Sequence, residues 1–145
     1  MLQNIPIASD HAGFNLKEYL IIALTNAGYK LNDMGTNSCQ SVDYPDLIHP
    51  LAKAVSEGKY KIGIIICGSG NGVSMVANKY PDVRCALCWC EEIAKLARNH
   101  NNANIIALPA RFISQEQALQ IVLTFFNSAY EGGRHQQRID KINVK

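Results

Sequence analysis

The chain has 145 residues, of which 48% are apolar and 18% charged, and it carries a formal net charge of +2. That length fits one domain with a proper core, read here as residues 1–145. So small a charge does not point to nucleic acid, and no apolar run approaches the roughly 20 residues of a membrane span, so neither is expected as a partner.

In chain order, Ile5 to Ala8 reads as a strand. Residues 14–28 follow as an amphipathic helix closed by a glycine, then Tyr29 to Asp33 as a second strand. Residues 43–57 form a helix with proline in its first turn, where the missing N–H costs nothing. Ile62 to Ile66 is the third strand and the most buried by pattern, continued by a helix over Val73 to Lys79. Arg84 to Cys88 is the fourth strand, residues 91–100 a helix, and residues 102–109 carry the fifth strand. Ser114 caps a helix to about Asn127, with Glu116 and Gln117 in its first turn. After Tyr130 a Gly-Gly break leads into a short polar helix. Strands alternating with helices at this spacing predict an α/β, three-layer, Rossmann-like fold with a five-stranded parallel sheet covered on both faces.

In such sheets ligands bind beyond the carboxyl ends of the strands, at the switch point of the topology. There stand SDHAG (9–13), CGSGNG (67–72), CWCEE (88–92) and ALPAR (107–111). The second has three glycines in six residues. It fails the dinucleotide pattern and the Walker loop, both of which need glycine at 73, and the cysteine phosphatase loop, which needs arginine there; the residue is Val73. What remains is a loop whose backbone N–H groups, Gly68 to Gly72, can hold one small anion or a developing oxyanion. Beside it, Cys67 could act as nucleophile or carbon-acid base. Taken alone, Cys67 is read more simply as the last core residue of a strand; three glycines in the turn argue for a site.

Asp10 and His11 follow the first strand on the same rim and could be a helix cap with an exposed histidine, or site residues. His100, in RNHNNAN, reads first as part of a solvated loop. Arg134 and Arg138 share a helix face, with His135 nearby, and could fork onto a phosphate or form a solvated basic face. In CALCWC, Cys85 and Cys88 leave opposite faces of a strand and are packing residues, while Cys90 is placed near the site mouth and Trp89 on that rim could line a pocket or be packing. No second Cys/His pair with zinc spacing exists, so no metal or cofactor is expected. Five cysteines, an odd number, with no leader before the first strand, indicate free thiols and a cytoplasmic setting.

Taken together, ASDHAG (8–13), DYPD (43–46), CGSGNG (67–72), ANK (77–79), RNHNNANI (98–105) and YEGGRHQQR (130–138) resemble type B ribose-5-phosphate isomerases over essentially the whole chain. This family has galactose 6-phosphate and allose 6-phosphate isomerases as relatives. The resemblance implies a metal-free aldose–ketose isomerase of the non-oxidative pentose phosphate pathway, acting through a cis-enediolate. It implies that Cys67 moves a proton between C2 and C1; the alternative glutamate position holds Ser74. Gly68, Ser69, Gly70, Asn71 and Gly72 would cradle the enediolate oxygen, with the Ser69 hydroxyl shuttling a proton. His100 would open the sugar ring, assisted by Asp10. Asn101 would contact a sugar oxygen, Tyr44 would line the pocket, and His11, Arg111, Arg134 and Arg138 would grip the phosphate. A homodimer or homotetramer with sites at the interface is implied, the C-terminal helix reaching toward the neighbour. The alternatives are a six-carbon sugar-phosphate isomerase, a silent sugar-phosphate binding protein, and a thiol hydrolase.

Overall fold

The computed structural model describes residues 4–144. Residues 1–3, the start of the segment read as running straight into a strand, lie outside the described residues, as does Lys145 at the end of the expected domain. The elements are β1 (Ile5–Ser9), α1 (Phe14–Asn26), β2 (Leu31–Asp33), α2 (Tyr44–Ser56), β3 (Gly63–Cys67), α3 (Asn71–Ala77), β4 (Cys85–Leu87), α4 (Glu91–Asn101), β5 (Ile105–Pro109), α5 (Gln115–Asn127) and α6 (Arg134–Ile139). All strand pairs are parallel, in the order β2-β1-β3-β5-β4. The five-stranded α/β sheet is therefore as expected.

Side-chain alternation splits the core into two layers. Ile5 and Ile7 of β1, Ile64 and Ile66 of β3, and Ile106 and Leu108 of β5 pack with Leu20 of α1, Ala94 of α4 and Phe125 of α5. Ala8, Ile65, Cys67, Ile105 and Ala107 face the other way, onto Ile48 and Leu51 of α2 and Val73 of α3. The three central strands are buried along their whole length, which is why each reads as a continuous apolar run.

The local signals work as chemistry requires. Ser114 and Gln117 form a reciprocal capping box at the start of α5. Gly28, at φ +98°, ends α1 while the Tyr29 N–H donates to Leu24 O at 3.0 Å, a Schellman-type close. Tyr29 and Lys30 belong to that closure, so β2 starts at Leu31, two residues later than expected. Likewise α3 starts at Asn71 rather than Val73, because Gly70 at φ +76° turns the chain directly into it. The fully buried Lys17 places Nζ 2.9 Å from Asp33 and 2.8 Å from Glu18, compensating a charge that could not otherwise leave water and tying α1 to the end of β2. The last helix, α6, packs on α4 of its own chain.

Candidate active site

Strand order reverses between β1 and β3, so their carboxyl ends frame the crevice where such sheets bind ligands. A cavity of about 450 Å³ opens there, lined by Asp10, His11, Tyr44, Cys67, Gly68, Ser69, Gly72, Arg111, Ala12 and Phe112. Eight of these ten were singled out in the sequence. Ala12 and Phe112 were not, although each directly follows a predicted site residue; Phe112 is 75% exposed, a large apolar ring at the cavity mouth.

Cys67 is the last residue of β3 and is buried. Its sulfur accepts a hydrogen bond from the Gly70 N–H at 3.1 Å. The glycines have separate reasons. At Gly70 the left-handed backbone (φ +76°) excludes a side chain, and a Cβ would lie 2.3 Å from Leu87 Cδ1. At Gly72 a Cβ would meet the Tyr44 ring at 2.5 Å, so the aromatic wall can stand directly on the loop. The N–H groups of Gly68 and Ser69 have no partner among the described hydrogen bonds, leaving them free for a ligand.

The remaining cavity residues are held in working orientation. Asp10 accepts from the Gly13 N–H through Oδ1 at 3.1 Å, which leaves Oδ2 for the cavity. His11 Nδ1 accepts from the Val42 N–H at 3.2 Å, so the proton of the neutral ring sits on Nε2, a donor suited to an anion. Ser69 Oγ accepts from the Asn71 N–H at 3.2 Å, which frees its own proton for donation. The Arg111 N–H donates to Gly68 O at 3.0 Å and the Ala110 N–H to Cys67 O at 2.9 Å, strapping the end of β5 to the glycine loop. The guanidinium of Arg111 lies directly against Gly68. Gly70 and Asn71 stand behind the lining as supports.

The other predicted residues gather elsewhere on the chain. His100, in the last turn of α4, stacks on His135 with ring centroids 4.3 Å apart and planes at 16°. Both Nε2 atoms lie 3.6 Å from Glu131 Oε1. Asn101, the last residue of α4, lines a separate cavity of about 300 Å³ with Arg84 and Ile142. The end of that helix is clamped: Arg84 Nε donates to Asn101 O at 3.0 Å, and Arg98 Nη1 to Asn102 Oδ1 at 3.0 Å. Arg134 and Arg138 are exposed on α6, and no carboxylate pairs with either among the described residues.

One expectation changes. Trp89 and Cys90 do not line the Cys67 cavity but a separate one of about 150 Å³, with Glu91, Gln117 and Ile121. The reason is that β4 is an edge strand, separated from β3 by β5. The search for zinc spacing also missed a set of donors: among the described residues, ligand atoms of His100, Glu131 and His135 lie within 4.8 Å of one another. Cys85 and Cys88 do face opposite layers of the core. Burial pushes the Cys88 thiol up to about 12, helped by the neighbouring Cys90, and raises Cys85 further still. Both are neutral packing groups. Among the described residues, no helix is long and apolar enough to cross a membrane.

Residues 5–142 match the family model described as Ribose/Galactose Isomerase. The chain is 39% identical over 143 residues to ribose-5-phosphate isomerase B of Escherichia coli K12, covering 99% of this chain and 96% of that one. It is also similar to a crystal structure of a ribose 5-phosphate isomerase from Thermotoga maritima, with 46% identity, a TM-score of 0.94 and 97% of each chain covered. The structure of ribose-5-phosphate isomerase B from Mycoplasma genitalium with bound ribulose-5-phosphate matches at 43% identity and a TM-score of 0.93, covering 98% of this chain and 95% of that one.

Proposed function

The chain belongs to the ribose/galactose isomerase family, and on that premise we propose that it is an enzyme interconverting D-ribose 5-phosphate and D-ribulose 5-phosphate. The observation that carries this reading is the joining of Cys67, Ser69, Asp10, His11 and Arg111 in one cavity over a glycine loop. The relatives narrow the substrate: one at 39% identity is named ribose-5-phosphate isomerase B and one at 44% probable ribose-5-phosphate isomerase B, others at 39–42% are named putative sugar phosphate isomerase, and a ribose-5-phosphate isomerase B was solved with ribulose-5-phosphate. A six-carbon substrate or a silent binding role has no comparable support.

In the proposed reaction, Arg111 and the Nε2–H of His11 hold the phosphate. This fixed end orients C1 and C2 over the sulfur, converting remote binding into positioning. Cys67 thiolate takes the proton from C2 and becomes the thiol, while the electrons form the C1–C2 double bond and O1 becomes the enediolate oxygen. The free N–H groups of Gly68 and Ser69 stabilise that oxygen. The Ser69 hydroxyl moves a proton between O2 and O1, and Cys67 returns its proton to C1. Asp10, with His100, opens the furanose first. Charge is met by backbone donors, so the mechanism calls on no metal.

We infer further that the enzyme works as a homodimer or homotetramer in which a neighbour supplies His100, Asn101, Arg134 and Arg138 to the cavity of Cys67. Support comes from their separation from that cavity within one chain, and from the open, aromatic cavity mouth. A cytoplasmic setting suits five free thiols.

Proton NMR of ribose 5-phosphate with the purified protein in D2O and excess EDTA tests the function. Appearance of ribulose 5-phosphate with deuterium at the exchanging carbon is expected. No turnover, or turnover confined to a six-carbon phosphate run in parallel, would contradict it.

A further inference from the structure

We propose that His100, Glu131 and His135 form an inhibitory site for one divalent cation of borderline softness, Zn2+ above all. The inhibitory part rests on the functional reading above; the binding part does not.

Two imidazole nitrogens and one carboxylate oxygen are the donor set of three-ligand zinc sites, which leave a fourth position open to water or substrate. Imidazole suits Zn, Cu, Ni and Fe and disfavours Mg and Ca. The spacing is close to what a metal needs. Each Nε2 stands 3.6 Å from Glu131 Oε1, and all three donors lie within 4.8 Å. Bonds of about 2.0–2.2 Å in a tetrahedron separate ligand atoms by roughly 3.4 Å, so the two His–Glu edges are nearly at size. The rings stack with their planes at 16°, so their in-plane lone pairs do not yet converge; His100, with a side chain 39% exposed, must turn out of the stack for the His–His edge to close.

The fold builds this arrangement. His135 is nearly buried and fixed. Gly132 and Gly133, both at positive φ, reverse the chain so that α6 sets His135 under His100. Glu131 and His135 stand four residues apart across that reversal, and the Glu131 N–H donates to Asn99 O at 3.0 Å, fastening it to α4. Arg84 and Arg98 hold the end of α4 from the other side. Three ligands on pinned backbone lose little freedom when they bind. The consequence follows from chemistry: a metal on Nε2 of His100 ties up the imidazole proposed to open the furanose ring. Removing one group from the acid–base pair then slows turnover.

Thiols are the competing zinc ligands in this chain, so the test must separate sulfur from imidazole. Intact protein is titrated with Co2+ and followed by absorption, with Zn2+ affinity measured by competition against a chromophoric chelator. Isomerase rates are read on the same samples. One equivalent is expected to bind with a d–d spectrum and without thiolate-to-cobalt charge transfer, and turnover should fall in step and return with EDTA. Glu131→Gln and His135→Gln should each weaken binding by at least the roughly 10- to 100-fold that loss of an outer-sphere partner costs. Should His135→Gln misfold by circular dichroism, the exposed Glu131→Gln carries the test. Cys39→Ser and Cys90→Ser should leave the spectrum unchanged. A thiolate charge-transfer band, absence of saturable binding, or binding untouched by Glu131→Gln would overturn the site. Binding with unaltered turnover would overturn the inhibitory role. Absence of turnover in EDTA contradicts the functional reading and the inhibitory role with it, while the spectrum still decides the metal site.

Discussion

The Gly70 N–H donates to Cys67 Sγ over 3.1 Å, and the residue that makes this bond is held at φ +76° against Leu87. The Cys67 sulfur and the left-handed turn are thus one feature. Gly70→Ala should cost about 1–3 kcal/mol of stability from backbone strain and overlap, lowering the melting temperature by about 2–4 °C per kcal/mol in a chain of this size. It should also lower kcat, because the donor shifts off the sulfur. Thermal unfolding and steady-state kinetics on one preparation check both; an unchanged melting temperature would sink the strain argument.

Cys67→Ala removes the proposed base and leaves the phosphate grip intact. General acid–base groups contribute about 100- to 10,000-fold, so kcat should fall by that order while calorimetric binding of ribulose 5-phosphate persists. Comparable turnover in this variant would refute the assignment of Cys67.

In the proposed reaction Arg111 holds the phosphate, through charge-assisted bonds worth about 1.5–3 kcal/mol each. Arg111→Ala should therefore lower kcat/KM by about 10- to 100-fold, mostly through KM. Arg111→Lys should recover only part, since a point charge cannot fork onto two oxygens. Equal loss toward unphosphorylated ribose would show that the arginine acts on the fold instead.

The buried thiols give an alkaline prediction. Cys88 is raised from its ordinary value of 9.0 to about 12 by burial, then by Cys90, and Cys85 is raised by burial, then by Cys88. In the unfolded chain both ionise near their ordinary value, so between about pH 9 and pH 12 the unfolded state binds fewer protons than the native one. Stability is full below that window and falls as pH rises through it. Denaturant unfolding at pH 8 and pH 10 should show the decline, and Cys88→Ala should flatten it. In the native protein Cys88 should resist alkylation at pH 8, whereas the exposed Cys39 reacts.

Much of this was legible in sequence because burial on both faces writes β1, β3 and β5 as apolar runs, and the polar strand ends then stand out. The lengths of β2 and β4 were not, since each is a three-residue edge strand whose flanks serve turns. Cys67 announced itself through the glycine loop. The reason each glycine is needed did not: Leu87 and Tyr44, the groups a Cβ would strike, come from other elements. The placement of Cys90 near the site mouth failed because strand order, which sends β4 to the edge, is not written in local pattern. The cluster of His100, Glu131 and His135 escaped for a similar reason. His100 is far in sequence from the other two; Glu131 reaches it by bonding back to Asn99 of α4, and the turn at Gly132 and Gly133 then brings in His135.

Cys67 and His100 occupy separate places on one chain, yet the proposed reaction uses both on one sugar. Mixing inactive Cys67→Ala and His100→Asn proteins under conditions that exchange subunits tests this most directly. If a dimer shares its sites, half of a random equal mixture is mixed dimer with one intact site of two, and activity should return to about one quarter of wild type. A mixture that exchanges subunits yet stays inactive would contradict a site built from Cys67 of one subunit and His100 of the next.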